Sequence, residues 1–167
     1  MRDALPKIPE TVRFVEIDFN RQALPDVLTG AGFQSSKRAM FLWEGVTNYL
    51  TTDAVDSVLR YVAGCGPGSR IIFTYVHAGL LDGSVRFYGG ERLLRDVARL
   101  GEPWTLGVFP EALAEFLGRC GLCLDCDLSA HEYRSKYFGV AADETTGYHF
   151  YHIAVAHVRE RKTSAEE

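Results

Sequence analysis

Short apolar runs alternate with segments of helical periodicity along most of the chain, and this alternation constrains the fold most. Residues 40–44 (MFLWE) and 70–76 (RIIFTYV) are nearly continuous in apolar side chains, a pattern typical of strands buried on both faces. Between them, four side chains follow the spacing of an amphipathic helix: Val55, Val58, Leu59 and Val62. A strand, a helix and a second strand in this order predict a parallel crossover and therefore an α/β sheet.

The second half of the sequence continues the pattern. A helix is predicted over residues 91–100, and another from Pro110, which suits the first helical position, to a stop at Gly121. Two more strands follow, with room for one antiparallel pairing at this end of the sheet. We therefore predict that four strands share one sheet: residues 40–44, 70–76, 122–128 and 148–158.

Length and charge narrow the class of protein. A chain of 167 residues fits one domain, predicted over residues 1–158, with a charged tail at 159–167. The formal net charge of -4 gives no general attraction to phosphate backbones or anionic lipids, so we expect neither nucleic acid nor a membrane as a partner. The N-terminus lacks an apolar signal core and the four cysteines indicate reduced thiols, so a cytoplasmic location is predicted.

Three cysteines spaced by three residues, Cys120, Cys123 and Cys126, resemble part of an iron–sulfur pattern. Side chains alternate along a strand, so the odd separation of Cys123 and Cys126 predicts that they lie on opposite faces. No further ligand run follows them. We therefore predict buried thiols and no bound metal.

The segment FLWEGVTNYL, residues 41–50, carries the strongest indication of function. A strand delivers Glu44 at its carboxyl end, and Gly45 lets the chain turn into the next segment. Ligands of open α/β sheets bind beside the carboxyl ends of the strands, where a carboxylate can accept hydrogen bonds. Simple solvation of Glu44 at a strand end is the alternative interpretation, and the pattern favours neither.

The same segment resembles a known family. FLWEGVTNYLT, a following helix and GPGSRIIFTYV are similar to the leucine carboxyl methyltransferase family, as are VRFVEIDF, GEPWTLGVFPEALAEFLGRCGL and LSAHEYRSKYF elsewhere in the chain. The resemblance implies an S-adenosylmethionine-dependent methyltransferase with a Rossmann-like α/β fold. It also implies methyl transfer to an oxygen, often a carboxylate, of a small-molecule acceptor.

The resemblance implies roles for individual residues near the cofactor. Asp18 and Phe19 match an acidic and apolar pair that ends the family's third strand and contacts the adenine. Glu44 matches a glutamate that ends the fourth strand near the ammonium of the cofactor's methionine moiety. Tyr49 matches a tyrosine of the same motif and is expected in the pocket where the methyl group meets the acceptor.

Two further residues are candidates for the substrate pocket. His77 follows the strand at residues 70–76 and could reach such a pocket, with a solvated loop histidine as the alternative. Trp104 lies in the segment where the family builds its substrate lid, and core packing is its alternative role.

The resemblance covers only the C-terminal half of the family's pattern. The family's first two strands carry a glycine-rich cofactor loop and a ribose-binding acid, and this sequence shows no counterpart before residues 12–19. The glycines at 64–68 follow a helix and precede a strand, so they form a turn and no cofactor loop. The expected fold is therefore a Rossmann-like methyltransferase sheet that is N-terminally truncated and lacks two strands.

This incomplete site leaves three hypotheses open: an active methyltransferase, a silent truncated remnant whose missing half a partner chain could supply, and a binding subunit without cofactor. We expect the chain alone to bind S-adenosylmethionine weakly or not at all. The two absent strands lie between the third and fourth strands in the family, so residues 40–44 gain an exposed apolar edge. Such an edge closes onto residues 12–19 or leads to self-association.

Overall fold

The structure is a computed structural model that describes residues 9–19, 21–139 and 148–159. The chain groups into two compact units, Met1–Gln34 and Ser35–Glu167. A single domain over residues 1–158 stays a prediction, because compact units of one chain can belong to one domain. The predicted charged tail lies, beyond its first residue, outside the described residues.

In its described residues, the first unit contains one helix, α1 (Leu24–Gly30), and no strand. The resemblance implies a strand that ends at Asp18 and Phe19, and this is wrong for residues 12–19, because the backbone leading to Asp18 has no regular secondary structure. The N–H groups of Arg21 and Gln22 both donate to the carbonyl oxygen of Asp18, at 3.0 and 2.8 Å, and so form a turn. A strand needs a neighbour to pair its row of backbone groups, and apolar side chains in a single segment do not supply one.

The second unit contains one four-stranded sheet, which confirms that the four predicted strands share a sheet. The strands are β1 (Met40–Trp43), β2 (Arg70–Val76), β3 (Leu122–Ser129) and β4 (Tyr151–Val158), in the spatial order β1-β2-β4-β3. β1 and β2 are parallel, as the crossover pattern predicts. β4 lies between β2 and β3 and runs antiparallel to both, so the antiparallel strand is internal.

The helix α2 (Thr52–Ala63) connects β1 to β2 and confirms the predicted amphipathic helix. Its cap is the Thr51 hydroxyl, which accepts a hydrogen bond from the Ala54 N–H at 3.2 Å. The four predicted apolar residues of α2 are all buried. On the sheet, Ile71 and Phe73 are 1% and 2% exposed, so the core lies between the sheet and the helices packed on it.

Four further helices follow in this unit: α3 (Ala78–Asp82), α4 (Gly90–Arg99), α5 (Pro110–Cys120) and α6 (Ala130–Phe138). The predicted helices at residues 91–100 and from Pro110 are confirmed as α4 and α5, with Gly121 at φ 93° ending α5. The pattern-based prediction omits α3 and α6. The sequence signal for α6 is a capping box between Ser129 and Glu132. No helix among the described residues is long and apolar enough to cross a bilayer.

A β-bulge changes the positions of the cysteines. Cys123 pairs with His157 and Cys126 pairs with Val155, with a register shift after Leu124. His157 and Val155 are two residues apart on β4, so both cysteines lie on the same face of the sheet and the predicted opposite faces are wrong. Within the described residues, no group of three or more His, Cys, Asp or Glu side chains could hold a metal ion. The absence of a bound metal stays a prediction.

β1 forms one edge of the sheet in the described part of the chain. The sequence pattern predicts burial on both faces of this strand, and this is wrong, because Met40 and Leu42 are 69% and 73% exposed. Trp43, on the opposite face, is buried. An edge strand has one neighbour, and here only one of its faces contributes to the core.

The turn at residues 64–68 permits a close backbone contact that gives a stability test. A Cβ atom on Gly66 would lie 2.6 Å from the backbone carbon of Lys37, whereas one on Gly118 in α5 would meet nothing within 4 Å. We predict that Gly66→Ala lowers the free energy of unfolding by about 1–3 kcal/mol, because backbone must move. The matched variant Gly118→Ala should raise it by about 0.5–1 kcal/mol. Thermal unfolding followed by circular dichroism measures both, and equal effects would contradict the packing described.

Candidate functional site

Residues of two strands, of the loop after a third strand and of one helix meet at one end of the sheet and surround a cavity of about 310 Å³, the edge cavity. β1 and β2 are parallel, so their carboxyl ends lie together, and the antiparallel β4 begins at that same end. The helix α6 starts where β3 ends and adds Tyr133. The residues lining the edge cavity are Glu44, Gly45, Thr74, Tyr133, Tyr151, His152 and Ile153.

The loop that carries Glu44 is held to β2 by one threonine. Gly45 has φ +70°, a conformation that favours glycine, and its N–H donates to the Thr74 hydroxyl at 2.8 Å. The Thr47 hydroxyl donates to the backbone carbonyl of Thr74 at 2.7 Å. Glu44 itself is exposed. The structure therefore places the predicted carboxylate at a strand carboxyl end, on a loop whose position is set by hydrogen bonds.

Tyr49 and Trp104, which are 55 residues apart in the sequence, are brought together. Their rings meet edge to face with centroids 6.4 Å apart. The Thr105 N–H donates to the carbonyl of Asn48 at 2.7 Å, and its hydroxyl donates to the carbonyl of Leu50 at 3.0 Å. These bonds join the segment after α4 to the loop after β1. A second cavity, of about 530 Å³, adjoins this contact and is lined by Tyr49, Gly101, Glu102, Pro103 and Thr105.

Trp104 also packs in the core, against the rings of Phe150 and Tyr151 at 6.1 and 5.7 Å. Its indole Nε1 is buried and has no hydrogen-bond partner within the described residues. A buried N–H without an acceptor is costly to the folded state.

His77 is a half-buried helix cap, and the alternative of a solvated loop histidine is wrong. Its Nδ1 accepts a hydrogen bond from the Gly79 N–H at 3.0 Å at the start of α3. Its ring contacts those of Phe87 and Phe109, at 5.3 and 5.5 Å. Burial lowers the pKa of His77, and nearby His152 lowers it further.

A hydrogen-bonded network lies next to His77, and the sequence patterns do not predict it. Asp127 accepts from the Tyr75 hydroxyl at 2.7 Å and pairs with Nδ1 of His152 at 3.2 Å. The ring of His152 stacks on that of Tyr75, with centroids 4.9 Å apart. Burial, and then the bond to Asp127, raises the pKa of Tyr75. Asp127 is 52 positions from Tyr75 and 25 from His152, so strand register brings the three residues together and no local motif indicates them.

Asp18 and Phe19 lie in the first unit. The Asp18 carboxylate is 3.5 Å from the Arg21 side chain, and its own N–H donates to Gln22 Oε1 at 2.9 Å. Phe19 is half-buried. Their predicted contact with adenine stays a prediction, as do the predicted ligand roles of Glu44, Tyr49, His77 and Trp104.

Comparison with known proteins agrees with the motifs. Residues 1–63 match the family model described as leucine carboxyl methyltransferase, which confirms the resemblance. A Bacillus subtilis (strain 168) protein named "Putative S-adenosyl-L-methionine-dependent methyltransferase YktD" is 26% identical over 153 residues, covering 91% of this chain and 50% of that protein. The chain thus spans about half the length of this curated relative.

Two solved structures share the fold. A DUF574 family protein from Streptomyces avermitilis MA-4680 aligns with a TM-score of 0.55 at 18% identity, over 86% of this chain and 54% of its own. A putative methyltransferase from Thermobifida fusca YX aligns with a TM-score of 0.52 at 20% identity, over 82% of this chain and 48% of its own. The fold is therefore an α/β, Rossmann-like methyltransferase sheet, with four strands in the described residues.

The low pKa of His77 gives a test by pH. Because the folded state holds this proton more weakly than the unfolded state, unfolding takes up a proton as the pH falls below the ordinary value of 6.5. The free energy of unfolding should therefore decrease as the pH falls through 6.5 toward the lower native pKa. His77→Asn keeps a good helix cap and should reduce this decrease. His131→Asn, at an exposed position of α6, serves as the control and should not. Urea unfolding across this pH range measures the slope, and an unchanged slope in His77→Asn would contradict the assignment.

Proposed function

We propose that the chain forms the acceptor-side part of an S-adenosylmethionine-dependent methyltransferase that methylates an oxygen, often a carboxylate oxygen, of a small molecule. The observation that carries the proposal is the edge cavity, where Glu44 lies at the carboxyl end of β1 beside Thr74 and Tyr151. This is the end of an open α/β sheet at which ligands bind. The family match and the Bacillus subtilis relative support the same reaction class.

The residues of the edge cavity fit one end of the cofactor. The Glu44 carboxylate is exposed to the cavity mouth, with a charge that suits an ammonium group. When bound, S-adenosylmethionine supplies an activated methyl group. The chain itself would bind the ammonium through Glu44 and exclude water with Tyr133 and Tyr151, which also line the cavity.

The acceptor would lie between the edge cavity and the cavity beside Tyr49. Tyr49 lines the second cavity, and its ring is supported from the core side by the ring of Trp104. His152 lines the edge cavity and is oriented by Asp127 through Nδ1. A histidine held in this way by a carboxylate is suited to accept the proton that a hydroxyl acceptor loses.

The second candidate function is a silent remnant, or a binding subunit completed by a partner chain. The observation that favours it is the small number of cofactor contacts: the edge cavity provides one carboxylate, and the glycine turn at residues 64–68 lies between α2 and β2, after a helix. Losing two or three charge-assisted contacts weakens a micromolar site by roughly three orders of magnitude. We therefore propose that the isolated chain binds S-adenosylmethionine no better than millimolar and shows no turnover.

Titration with S-adenosylhomocysteine, monitored by amide NMR, tests the binding site. We expect shifts at Gly45, Thr74 and Tyr151 that approach saturation in the millimolar range. Glu44→Gln should weaken them several-fold by removing the charge, whereas Glu16→Gln, at an exposed position of the first unit, should not. A micromolar dissociation constant that Asp18→Ala or Glu44→Ala abolishes would disprove the silent-remnant candidate. Absence of any shift at these amides would disprove the cofactor site.

A further inference from the structure

The register of three strands brings the side chains of Tyr75, Asp127 and His152 together. Tyr75 on β2 lies opposite His152 on β4, and Asp127 on β3 lies opposite Ala154 on β4. His152 and Ala154 are two residues apart, so all of these side chains leave the sheet on the same face. Ala154 is fully buried and carries only a methyl group, which leaves room for the Tyr75 hydroxyl to reach Asp127 across β4.

The carboxylate of Asp127 fixes where the hydrogen atoms of this network lie. An ionised carboxylate only accepts hydrogen bonds, so the Tyr75 hydroxyl donates to one of its oxygens at 2.7 Å, and the His152 Nδ1–H donates to the other at 3.2 Å. The neutral ring of His152 therefore carries its single hydrogen on Nδ1. Its Nε2 keeps an unshared electron pair and can accept a proton.

Tyr75 holds that carboxylate in place. The tyrosine is 2% exposed, and its ring stacks on the ring of His152. Burial and the bond to Asp127 raise the pKa of Tyr75, so its hydroxyl stays protonated and remains a donor. The imidazole of His152 is thus held at one edge by a carboxylate and on one face by an aromatic ring. Both supports come from strands of the sheet, which are more rigid than loops.

Two other titratable groups act electrostatically on His152 from neighbouring elements, Glu132 of α6 and His77 before α3. Each has a hydrogen-bond partner of its own. The Glu132 carboxylate accepts from the Ser129 hydroxyl at 2.7 Å, and Nδ1 of His77 accepts from the backbone at the start of α3. Asp127 is therefore the group that directs the hydrogen of the His152 ring.

We propose that Asp127 and Tyr75 are positioning residues that hold His152 with Nε2 available to accept the proton of a hydroxyl acceptor. His152 lines the edge cavity, which is the proposed site of the reaction. This inference rests on the proposed function and names its acceptor class, an alcohol or a phenol. A carboxylate acceptor has already lost its proton and needs no base.

The step balances in protons and electron pairs. The acceptor hydroxyl gives its proton to Nε2 of His152, and its oxygen forms a bond to the methyl carbon. The bond between that carbon and the sulfonium sulfur breaks, and its electron pair stays on the sulfur. His152 then carries a positive charge, which the adjacent Asp127 carboxylate stabilises.

Histidine ¹⁵N NMR of the full chain tests the positioning role without any turnover. In the native chain, we expect the neutral His152 ring to carry its hydrogen on Nδ1. In Asp127→Asn, the amide oxygen accepts from Tyr75 and the NH₂ group faces Nδ1, so the hydrogen should move to Nε2. In the double variant with Tyr75→Phe, the amide is free to turn its oxygen to Nδ1, and the native tautomer should return.

Asp125→Asn is the matched control, because Asp125 pairs with Nδ1 of His157 at 2.6 Å and not with His152. It should leave the His152 tautomer unchanged. A native His152 ring with its hydrogen on Nε2, or an Asp127→Asn variant that keeps the native tautomer, would overturn the positioning role. The native measurement does not depend on whether a variant folds.

Titration with phenol and with benzoate tests the acceptor class. Phenol should shift the His152 Nε2 signal by donating to it, and Asp127→Asn should weaken this effect roughly tenfold because Nε2 becomes a donor. Benzoate should not shift this signal, and a shift as large as that with phenol would overturn the acceptor class. The readout is separate from the S-adenosylhomocysteine shifts at Gly45 and Thr74. Loss of those shifts alone would overturn only the cofactor site.

Discussion

β2 is hydrogen-bonded on both sides, and the positions of the other elements of this unit depend on it. It pairs in parallel with β1 and antiparallel with β4, and its inward side chains lie at the centre of the core. The backbone of Val76 also accepts from the Val108 N–H at 2.9 Å, which ties the segment before α5 to the end of β2. A buried strand with both edges paired has no unpaired backbone group, so it can serve as the fixed frame for the loops around it.

The candidate site follows from this frame. Thr74 of β2 binds the loop that carries Glu44, and the bridge between His77 and Val108 sets the segment that contains Trp104. Parallel strands leave their carboxyl ends at one end of the sheet, and the helices start there. The site is therefore a consequence of strand direction, and the identity of its side chains decides which ligand it can bind.

Polar groups in the interior also depend on pairing between distant strands. Tyr75, Asp127 and His152 come from β2, β3 and β4, and each would be costly to bury alone. Together they satisfy one another and leave an oriented imidazole beside the edge cavity. The same sheet places β1 at its edge in the described part of the chain.

The sequence by itself determined the four strands of the sheet, the helices α2, α4 and α5, and the position of Glu44 at a strand end, because periodicity and capping act within a few residues. Tertiary structure decided the rest. Residues 12–19 have the composition of a strand but form none, because a strand needs a neighbouring strand to pair its backbone groups. The bulge beyond Leu124 placed Cys123 and Cys126 on one face, and the pairing of β2, β3 and β4 joined His152 to Asp127. These features arise from hydrogen bonds between residues far apart in the chain. The local pattern of side chains therefore does not predict them.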